Sequence, residues 1–478
     1  MWYKLNTQLL KTVLMSSSTP VTRARPGSAQ ELLLIALPLM ISFGSQSVMS
    51  FIDRIFLTWY SSSALAATMP ASMLNWSIVS FAMGVASYTG TFISQYEGAG
   101  RKDRVARVVW QSIWLCLSLG SLLALFTLAA PLIFALAGHP ADVQRDEVTY
   151  FSMLCGGAPA ALLMTSLSSF FSGRGQTAVV MWVNLTAVLI NLVFGYLLIF
   201  GFAFIPPLGI WGAGLATVIS NCLACLLFVG LMIREVSRKQ YPMRSEFGID
   251  FELCQRMLYY GLAMGLQIFV DIFGFTIFLL FVGKMGTTAL AATNLAFNLN
   301  SLAFIPMLGL GTAVMTLVGR RIGEKNPALA ETTVRHALQL GCTYMGLWCV
   351  AYVLIPRLLI TPFRAYAAGD EFAEIEETAV ILMRFIAIYG LFDVLAIVYG
   401  YALRGAGDAL YPFLFFTLSS IFCLIIPSAV IWYLWGGNLI GTWSVVTFYI
   451  FIVGIGMWWR YRGGKWKSMS VIEKEVLI

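Results

Sequence analysis

Three carboxylates stand inside apolar runs of this chain: Asp53 in "FIDRIFLTWY", Asp271 in "QIFVDIFGF" and Asp393 in "RFIAIYGLFDVLAIVYG". An isolated carboxylate at the centre of a bilayer-spanning helix costs roughly 2.5–3.5 kcal/mol on insertion scales, so a segment that keeps one there usually uses it. Gln267 comes one helical turn before Asp271, and Tyr389 one turn before Asp393, so each shares its acid's face. Asn294, Asn298 and Asn300 add amide oxygens on the next apolar run. Hard oxygen donors of this kind suit a proton or Na⁺, with Asp271 and Asp393 as the metal ligands if the ion is Na⁺. Two carboxylates sharing a dry site can also take up and release protons near neutral pH. Arg384 precedes Asp393 by nine residues, half a turn off its face, which argues against an intrahelical ion pair. Asp53 is about six residues from the end of its run and is followed by Arg54, which suits either an interfacial role or a second site. Asn184 and Asn191, seven apart on a later run, share a face that could meet it. For all three acids the competing reading is a neutral, hydrogen-bonded structural group.

Such acids matter only if the runs cross a membrane. The chain of 478 residues is 59% hydrophobic and 11% charged, against about 25% charged for soluble domains. Its apolar runs reach the roughly 20 residues that a bilayer core demands. Twelve helical spans are expected: 31–58, 69–94, 108–137, 149–172, 178–202, 209–233, 257–283, 289–319, 334–360, 378–402, 411–435 and 440–459. The alternating ten-residue segments of a β-barrel are absent from the pattern. On this layout Asp271 is about 12 residues, roughly 18 Å, from the outer end of span 7. Asp393 is about 15 residues, roughly 22 Å, from the outer end of span 10, so the two lie at similar depth.

The net charge of +7 is distributed by side rather than gathered into a nucleic-acid patch. Of the 30 Lys and Arg residues, only Arg54, Arg145, Lys284, Arg357, Arg364 and Arg384 fall outside the termini, the even-numbered loops and their helix edges. That asymmetry predicts cytoplasmic termini. The acidic segment "GDEFAEIEE" at 369–377 then falls outside as a loop. Residues 1–29 form an expected cytoplasmic arm rather than a cleavable signal, because no apolar core precedes a small-residue cleavage site.

The chain also repeats itself. "ALAATMPASMLNWSIVSFAMG" at 64–84 resembles "ALAATNLAFNLNSLAFIPMLG" at 289–309, and Gly98 meets Gly323 at the same offset of 225. "SGRGQTA" at 172–178 resembles "LRGAGDA" at 403–409, at an offset near 232. The expected organisation is an N-terminal six-helix bundle at 30–235, a cytoplasmic linker at 236–254, a C-terminal six-helix bundle at 255–460 and a cytoplasmic tail at 461–478. Six spans return the chain to its starting side, so the copies share an orientation about an axis along the membrane normal. Pro38, Pro159, Pro306 and Pro427 are candidate kinks.

Catalytic classes find little support. His139 and His336 lie at loop edges, which removes intramembrane metal or haem ligation, and neither a phosphate-cradling G-x-x-x-x-G-K-[ST] loop nor a G-x-S-x-G elbow occurs. Cys222 and Cys225 form a CxxC on an apolar span without a partner pair, which reads as packing. No catalytic residue, and so no enzyme activity, is expected.

The segments "FIDRIFLTWYSSSALAAT", "GTTALAATNLAFNLNSLAFIPMLGLGTAVMTLVGRRIGE" and "IYGLFDVLAIVYGYALRGAGD" resemble the multidrug and toxic compound extrusion (MATE) family, in its bacterial NorM-type branch. The likeness runs over all twelve spans. It implies an antiporter that exports organic cations against inward Na⁺ or H⁺, with the coupling ion at Asp271 and Asp393 and Tyr389 close by. It matches Asp53 to the family's N-lobe acid, whose role in some members is proton coupling with bending of helix 1 near a proline at the position of Pro38. Many relatives carry Asp or Asn where this chain has Gly195, and the family's Gly-Leu-Pro opening of helix 7 is Gly-Leu-Ala here, with Ala263. The first departure tilts the expected coupling site toward the second half.

The expected protein is therefore an all-α secondary transporter of twelve transmembrane helices in two pseudo-symmetric six-helix bundles. Its coupling-ion site is Asp271, Asp393, Tyr389 and Asn294, and a further N-lobe proton or substrate site is Asp53, Asn184 and Asn191. No cofactor is expected beyond a coupling Na⁺ or H⁺. Expected partners are small organic cations and membrane lipids, not nucleic acid, with a functional monomer in the bacterial inner membrane. A lipid-linked saccharide flippase of the same superfamily and a non-transporting scaffold or enzyme are the alternatives.

Overall fold

A computed structural model describes residues 24–202, 206–239, 241–243, 245–364 and 370–473. In the first half α1 (Ala29–Tyr60) and α2 (Ser62–Gly98) are followed by α3 (Lys102–Ala124) with α4 (Phe126–Ala137), α5 (Ala141–Gly156) with α6 (Ala158–Ser172), α7 (Thr177–Phe200) and α8 (Gly209–Lys239). The second half has α9 (Phe251–Gly283), α10 (Thr287–Gly323), α11 (Pro327–Leu354) with α12 (Pro356–Arg364), and α13 (Asp370–Ala406). It continues with α14 (Leu410–Ser419), a π-helical turn (Ser420–Ile425), α15 (Ile426–Trp435) and α16 (Leu439–Arg462). Among the described residues 11 spans are long and apolar enough to cross a membrane, or 12 when α5 and α6 count as one span bent by 42°.

Local chemistry sets where the helices begin and bend. Ser28 caps α1 by accepting the Glu31 N–H at 3.2 Å, while the Glu31 carboxylate reaches back to the Gly27 N–H at 2.6 Å. Asp250 and Asn326 cap α9 and α11 in the same manner, through the N–H groups of Leu253 and Leu329. The α5–α6 bend falls at Gly157, where Pro159 begins a new helix. The π turn lies immediately before Pro427, whose ring and missing N–H disturb the ladder one turn back.

Several sequence boundaries move. The acidic segment is not a loop: residues 370–377 are the opening turns of α13, as its Glu and Ala content favours. The stretch between the bundles is shorter than expected, because α8 runs to Lys239 and α9 starts at Phe251. Most of the expected N-terminal arm, residues 1–23, lies outside the described residues, as do 474–478 of the tail.

The repeat is a structural one. Helix α2 closes with Ala99, Gly100 and Arg101 donating to Gln95, Glu97 and Tyr96, and α10 closes with Glu324, Lys325 and Asn326 donating to Arg320, Ile322 and Arg321. Every one of these positions is related by the offset of 225. Gly100 and Lys325 take the same left-handed conformation, at φ 72° and 56°. Likewise α6 and α13 end alike, with Gly175 and Gln176 donating to Ser172 and Phe171, and Gly407 and Asp408 to Arg404 and Leu403.

The halves meet through α2 against α9, α1 against α10, and α2 against α10. The contacts obey the same pseudo-symmetry. A Cβ on Gly84 would fall on the backbone of Gly265, and one on Gly309 would fall on the backbone of Met40. Gly98 rests on the Arg320 carbonyl, and Gly323 rests on the Gln95 carbonyl. These contacts run from Gly84 down to the end that carries Arg101, Arg104, Arg107, Arg320, Arg321, Arg460 and Lys467, here termed the basic face. Above Gly84 the halves part. The α2 face that is buried at Ser80 (0% exposed) is open at Trp76 (51%) and Met69 (52%). The matching α10 face, buried at Gly309, is open at Leu302 (58%), Asn298 and Asn294. Exposed amides suit a water-filled cleft rather than lipid.

The basic face is fastened by the tail. After α16, Trp466 stacks on Tyr461 at 4.8 Å, and the Gln95 side-chain oxygen accepts from Ser470 Oγ (2.9 Å) and the Val471 N–H (3.0 Å). Glu473 accepts from Tyr96 Oη (2.8 Å) and Arg256 Nη2 (2.6 Å), with Arg101 and Arg104 at 3.4 and 3.8 Å. Burial alone would raise this carboxyl, but the hydrogen bonds from Arg256 and Tyr96 outweigh it and hold the group down at about 2.

Candidate functional site

Helices α9 and α13 run in opposite directions through the second half. Helix α9 presents Gln267 and Asp271 one turn apart. Helix α13 presents Tyr389, Asp393 and Arg404. Eleven residues separate the last two, about three turns and roughly 16 Å on one face. The carboxyl of Asp271 is flanked by the Arg404 guanidinium, the Gln267 amide and the Tyr449 hydroxyl of α16. Asp393 lies within reach of the Asp271 charge, and Tyr389 and Cys349 of α11 lie beside Asp393. Tyr389, Tyr449 and Gln267 are buried. Asp271 Oδ1 is buried with no hydrogen-bond partner among the described residues. A buried carboxyl oxygen without a donor is suited by its chemistry to a cation or a proton.

The expected residues divide. Asp271 and Asp393 are near enough for their charges to act on each other, and Tyr389 lies beside Asp393. Asn294 is exposed on the α10 face that lines the cleft, whereas the groups acting on Asp271 are Arg404, Gln267 and Tyr449. Arg384 is exposed, facing away.

In the first half Asp53 is buried at 8% exposure. Helices α1 and α7 run parallel and in register. Asn184 donates to Ser42 Oγ at 2.6 Å, 142 residues apart, and Gly195 faces Asp53 at the same separation, with the Asp53 Oδ1 at 3.8 Å from the place its Cβ would take. Asn191 is fully buried and donates instead to Thr217 Oγ1 of α8 at 3.3 Å. The α7 face does meet α1, therefore, but what faces Asp53 is the missing side chain of Gly195. Tyr150 of α5 and Arg54 complete the charged surroundings.

The MatE family model matches the chain twice, over residues 38–197 and 263–431, once in each half. The chain belongs to the MatE family. A protein described as "Probable multidrug resistance protein NorM" from Mannheimia succiniciproducens is 27% identical over 406 residues, covering 84% of this chain and 85% of that one. One of the same description from Pasteurella multocida is 28% identical over 390 residues, covering 80% and 81%. Among solved structures, an outward-facing multidrug resistance MATE family transporter superposes with a TM-score of 0.84 at 19% identity, over 93% of this chain and 98% of that one. A transporter of the wider MOP superfamily from Pyrococcus furiosus does so at 0.83 and 18%, over the same shares. The chain is thus a NorM-type MATE transporter in family and fold.

Two groups at the MatE site escaped the sequence reading, Arg404 and Tyr449. Arg404 carried a signal, since it follows Asp393 by three full turns. Tyr449 carried none, because its place beside Asp271 depends on how α16 packs.

Proposed function

We propose that this MatE protein is a secondary antiporter that exports organic cations in exchange for Na⁺ or H⁺, by alternating access between its two halves. The observation that carries the reading is the meeting of Asp271 and Asp393 inside the second half, ringed by Tyr389 and Tyr449. Both carboxylates come from helices that also touch the rest of the moving architecture, α9 through α2 and α13 through its last turn. An ion that binds there with different affinity in the two states shifts their balance, and no other coupling device is required.

The basic face is taken as cytoplasmic, in keeping with the positive-inside asymmetry, with both termini on that side of a bacterial inner membrane. The cleft then opens outward. An external ion entering the Asp271–Asp393 site favours release of cargo, and its loss inside restores cargo affinity. Met69, Met73 and Trp76 on one wall, with Asn294 and Asn298 on the other, suit flat cationic cargo through cation–π, sulfur and amide contacts. Those walls supply no basic side chain for a pyrophosphate, which disfavours the saccharide-lipid flippase reading. The multidrug names of the two relatives agree with such cargo. Duplication lets one chain form both walls, so the working unit is a monomer.

Everted vesicles supplied with a fluorescent organic cation in the outer medium, with uptake into the lumen followed, test this. An imposed Na⁺ or pH gradient should drive transport in the wild type, and clamping each gradient in turn identifies the ion. Asp393→Asn should abolish gradient-driven transport with expression intact. Full transport in that variant would falsify the site assignment.

A further inference from the structure

Arg404 is buried to 6% exposure and, although the Asp271 charge is felt nearby, it makes no direct ion pair among the described residues. Its Nη2 donates to Gln267 Oε1, a neutral acceptor, and its guanidinium carbon lies 5.0 Å above the Tyr401 ring. Its Nε is buried without a partner among the described residues. The acid four residues on, Asp408, is held by Arg460 at 2.7 Å. A buried guanidinium left with only an amide and an aromatic face is incompletely compensated. One helical turn beyond that amide stands Asp271, whose Oδ1 is likewise unpartnered. Two opposite charges, each half-satisfied, are thus separated by the Gln267 side chain.

The backbone of the same residue belongs to a different contact. Tyr88 of α2 donates its hydroxyl to the Arg404 carbonyl at 2.7 Å, and Gln95 of α2 donates to the Gly405 carbonyl at 2.9 Å. These carbonyls lie in the last turn of α13, where intrahelical donors run out, and that of Arg404 also accepts the Gly407 N–H at 3.0 Å. The other half of the molecule adds its own donors to them, at the closed basic face. Arg404 therefore touches the ion site with its side chain and the inter-half closure with its main chain.

We propose that Arg404 is a positioning residue for coupling: a tethered cation that takes the Asp271 carboxylate when the exchanged ion leaves, and whose movement is passed to the Tyr88 and Gln95 contacts that close the basic face. The inference rests on the antiport reading above. With an ion in place, the carboxylate is neutralised and the guanidinium stays with Gln267. With the ion gone, the restored anion competes with Gln267 for the same guanidinium, and the last turn of α13 is drawn toward the site. The ion and Arg404 are then mutually exclusive ligands of one carboxylate, which gives the ion unequal affinity for the two states.

The test uses the full chain in lipid nanodiscs, spin-labelled at Met69→Cys and Asn294→Cys on opposite walls of the cleft. The distance distribution is followed against Na⁺ at fixed pH, and in a second arm against pH without Na⁺. In the wild-type background the distribution should respond in at least one arm; no response in either arm overturns the antiport reading and this proposal with it. Given a response, R404Q removes the competitor. Its midpoint should move to at least tenfold lower ion concentration, and R404K should restore it to within about threefold, since charge rather than shape is required. A role confined to holding α13 in place predicts an unmoved or higher midpoint in R404Q, and that result overturns the proposal while leaving the antiport reading standing. Should R404Q fail to fold, Gln267→Ala carries the test in the opposite sense. It frees the guanidinium toward Asp271, so the midpoint should rise about tenfold. An unmoved or lowered midpoint overturns the proposal.

Discussion

A carboxylate in a membrane-spanning helix is defined by what reaches it, and Asp271 and Asp53 differ in that respect. Asp271 is approached by an amide, a phenol and a guanidinium. A hydrogen bond to a charged group contributes about 1.5–3 kcal/mol, and the Tyr449 hydroxyl favours the unloaded Asp271 carboxylate, so Tyr449→Phe should lower the coupling-ion concentration needed for half-maximal transport about tenfold, at unchanged cargo affinity. Measuring transport rate against ion concentration decides it; an unmoved midpoint removes Tyr449 from the site. Asp53 instead faces Gly195 across α1 and α7. The space there accepts a side chain at ordinary contact distance, and Asn would both improve helix propensity and offer Asp53 a donor. Gly195→Asn should therefore stabilise the protein by about 1 kcal/mol, read as a higher unfolding midpoint in detergent. A lower midpoint would show that the gap is needed. At this scale the sequence revealed Asp271, Asp393, Tyr389 and Gln267, because intramembrane polarity and i,i+4 spacing are local. It concealed Tyr449, and it left open that Asn294 is exposed on the cleft wall, because the direction in which a helix faces is settled by its neighbours.

Helices α2 and α9, and equally α10 and α1, approach so closely at Gly84–Gly265 and Gly309–Met40 that only a hydrogen fits between backbones. Overpacking of such a contact costs about 1–3 kcal/mol, enough to move a two-state balance by roughly five- to a hundredfold. Gly84→Val and Gly309→Val should each disfavour the closed basic face. A cysteine placed at Ser94, fully buried beside Gly319 in the wild type, should then react faster with a membrane-impermeant maleimide added from the basic side. Unchanged labelling in both variants would mean that the contact is not the closure. The helices themselves were legible from hydropathy and length. Their bends were partly so: Pro159 and Pro427 mark real irregularities, whereas the break at Leu125 between α3 and α4 has no proline or glycine beside it.

Across the whole molecule the pseudo-symmetry explains an asymmetric part. Glu31 and Arg321 form a buried ion pair between α1 and α10. Their counterparts at the offset of 225 are Arg256 and Tyr96, which lack an acid. The tail supplies one, Glu473. The carboxylate that one interface holds within its own helices is delivered to the other by the C-terminal segment. Glu473→Gln should therefore loosen the basic face, again as faster labelling at Ser94→Cys. Because the folded carboxyl is held at about 2, below its unfolded value of about 4.3, its contribution is fully present above the unfolded value and is lost only as pH falls toward 2. The difference between variant and wild type should be constant from about pH 6 to 9; a difference that vanishes within that range would show that another group is responsible.

The sequence by itself determined the membrane class, the spans, the duplication and the presence of three acids within the spans. Each of these follows from local properties: transfer cost, helical period and self-similarity. Only the tertiary structure decided that the halves close at the basic face and part above Gly84, that Gly195 leaves Asp53 unfaced, and that Arg404 binds Gln267 with its side chain and Tyr88 of the other half with its carbonyl. Those facts depend on which faces of distant helices meet, and packing between segments hundreds of residues apart leaves no periodic trace in either one.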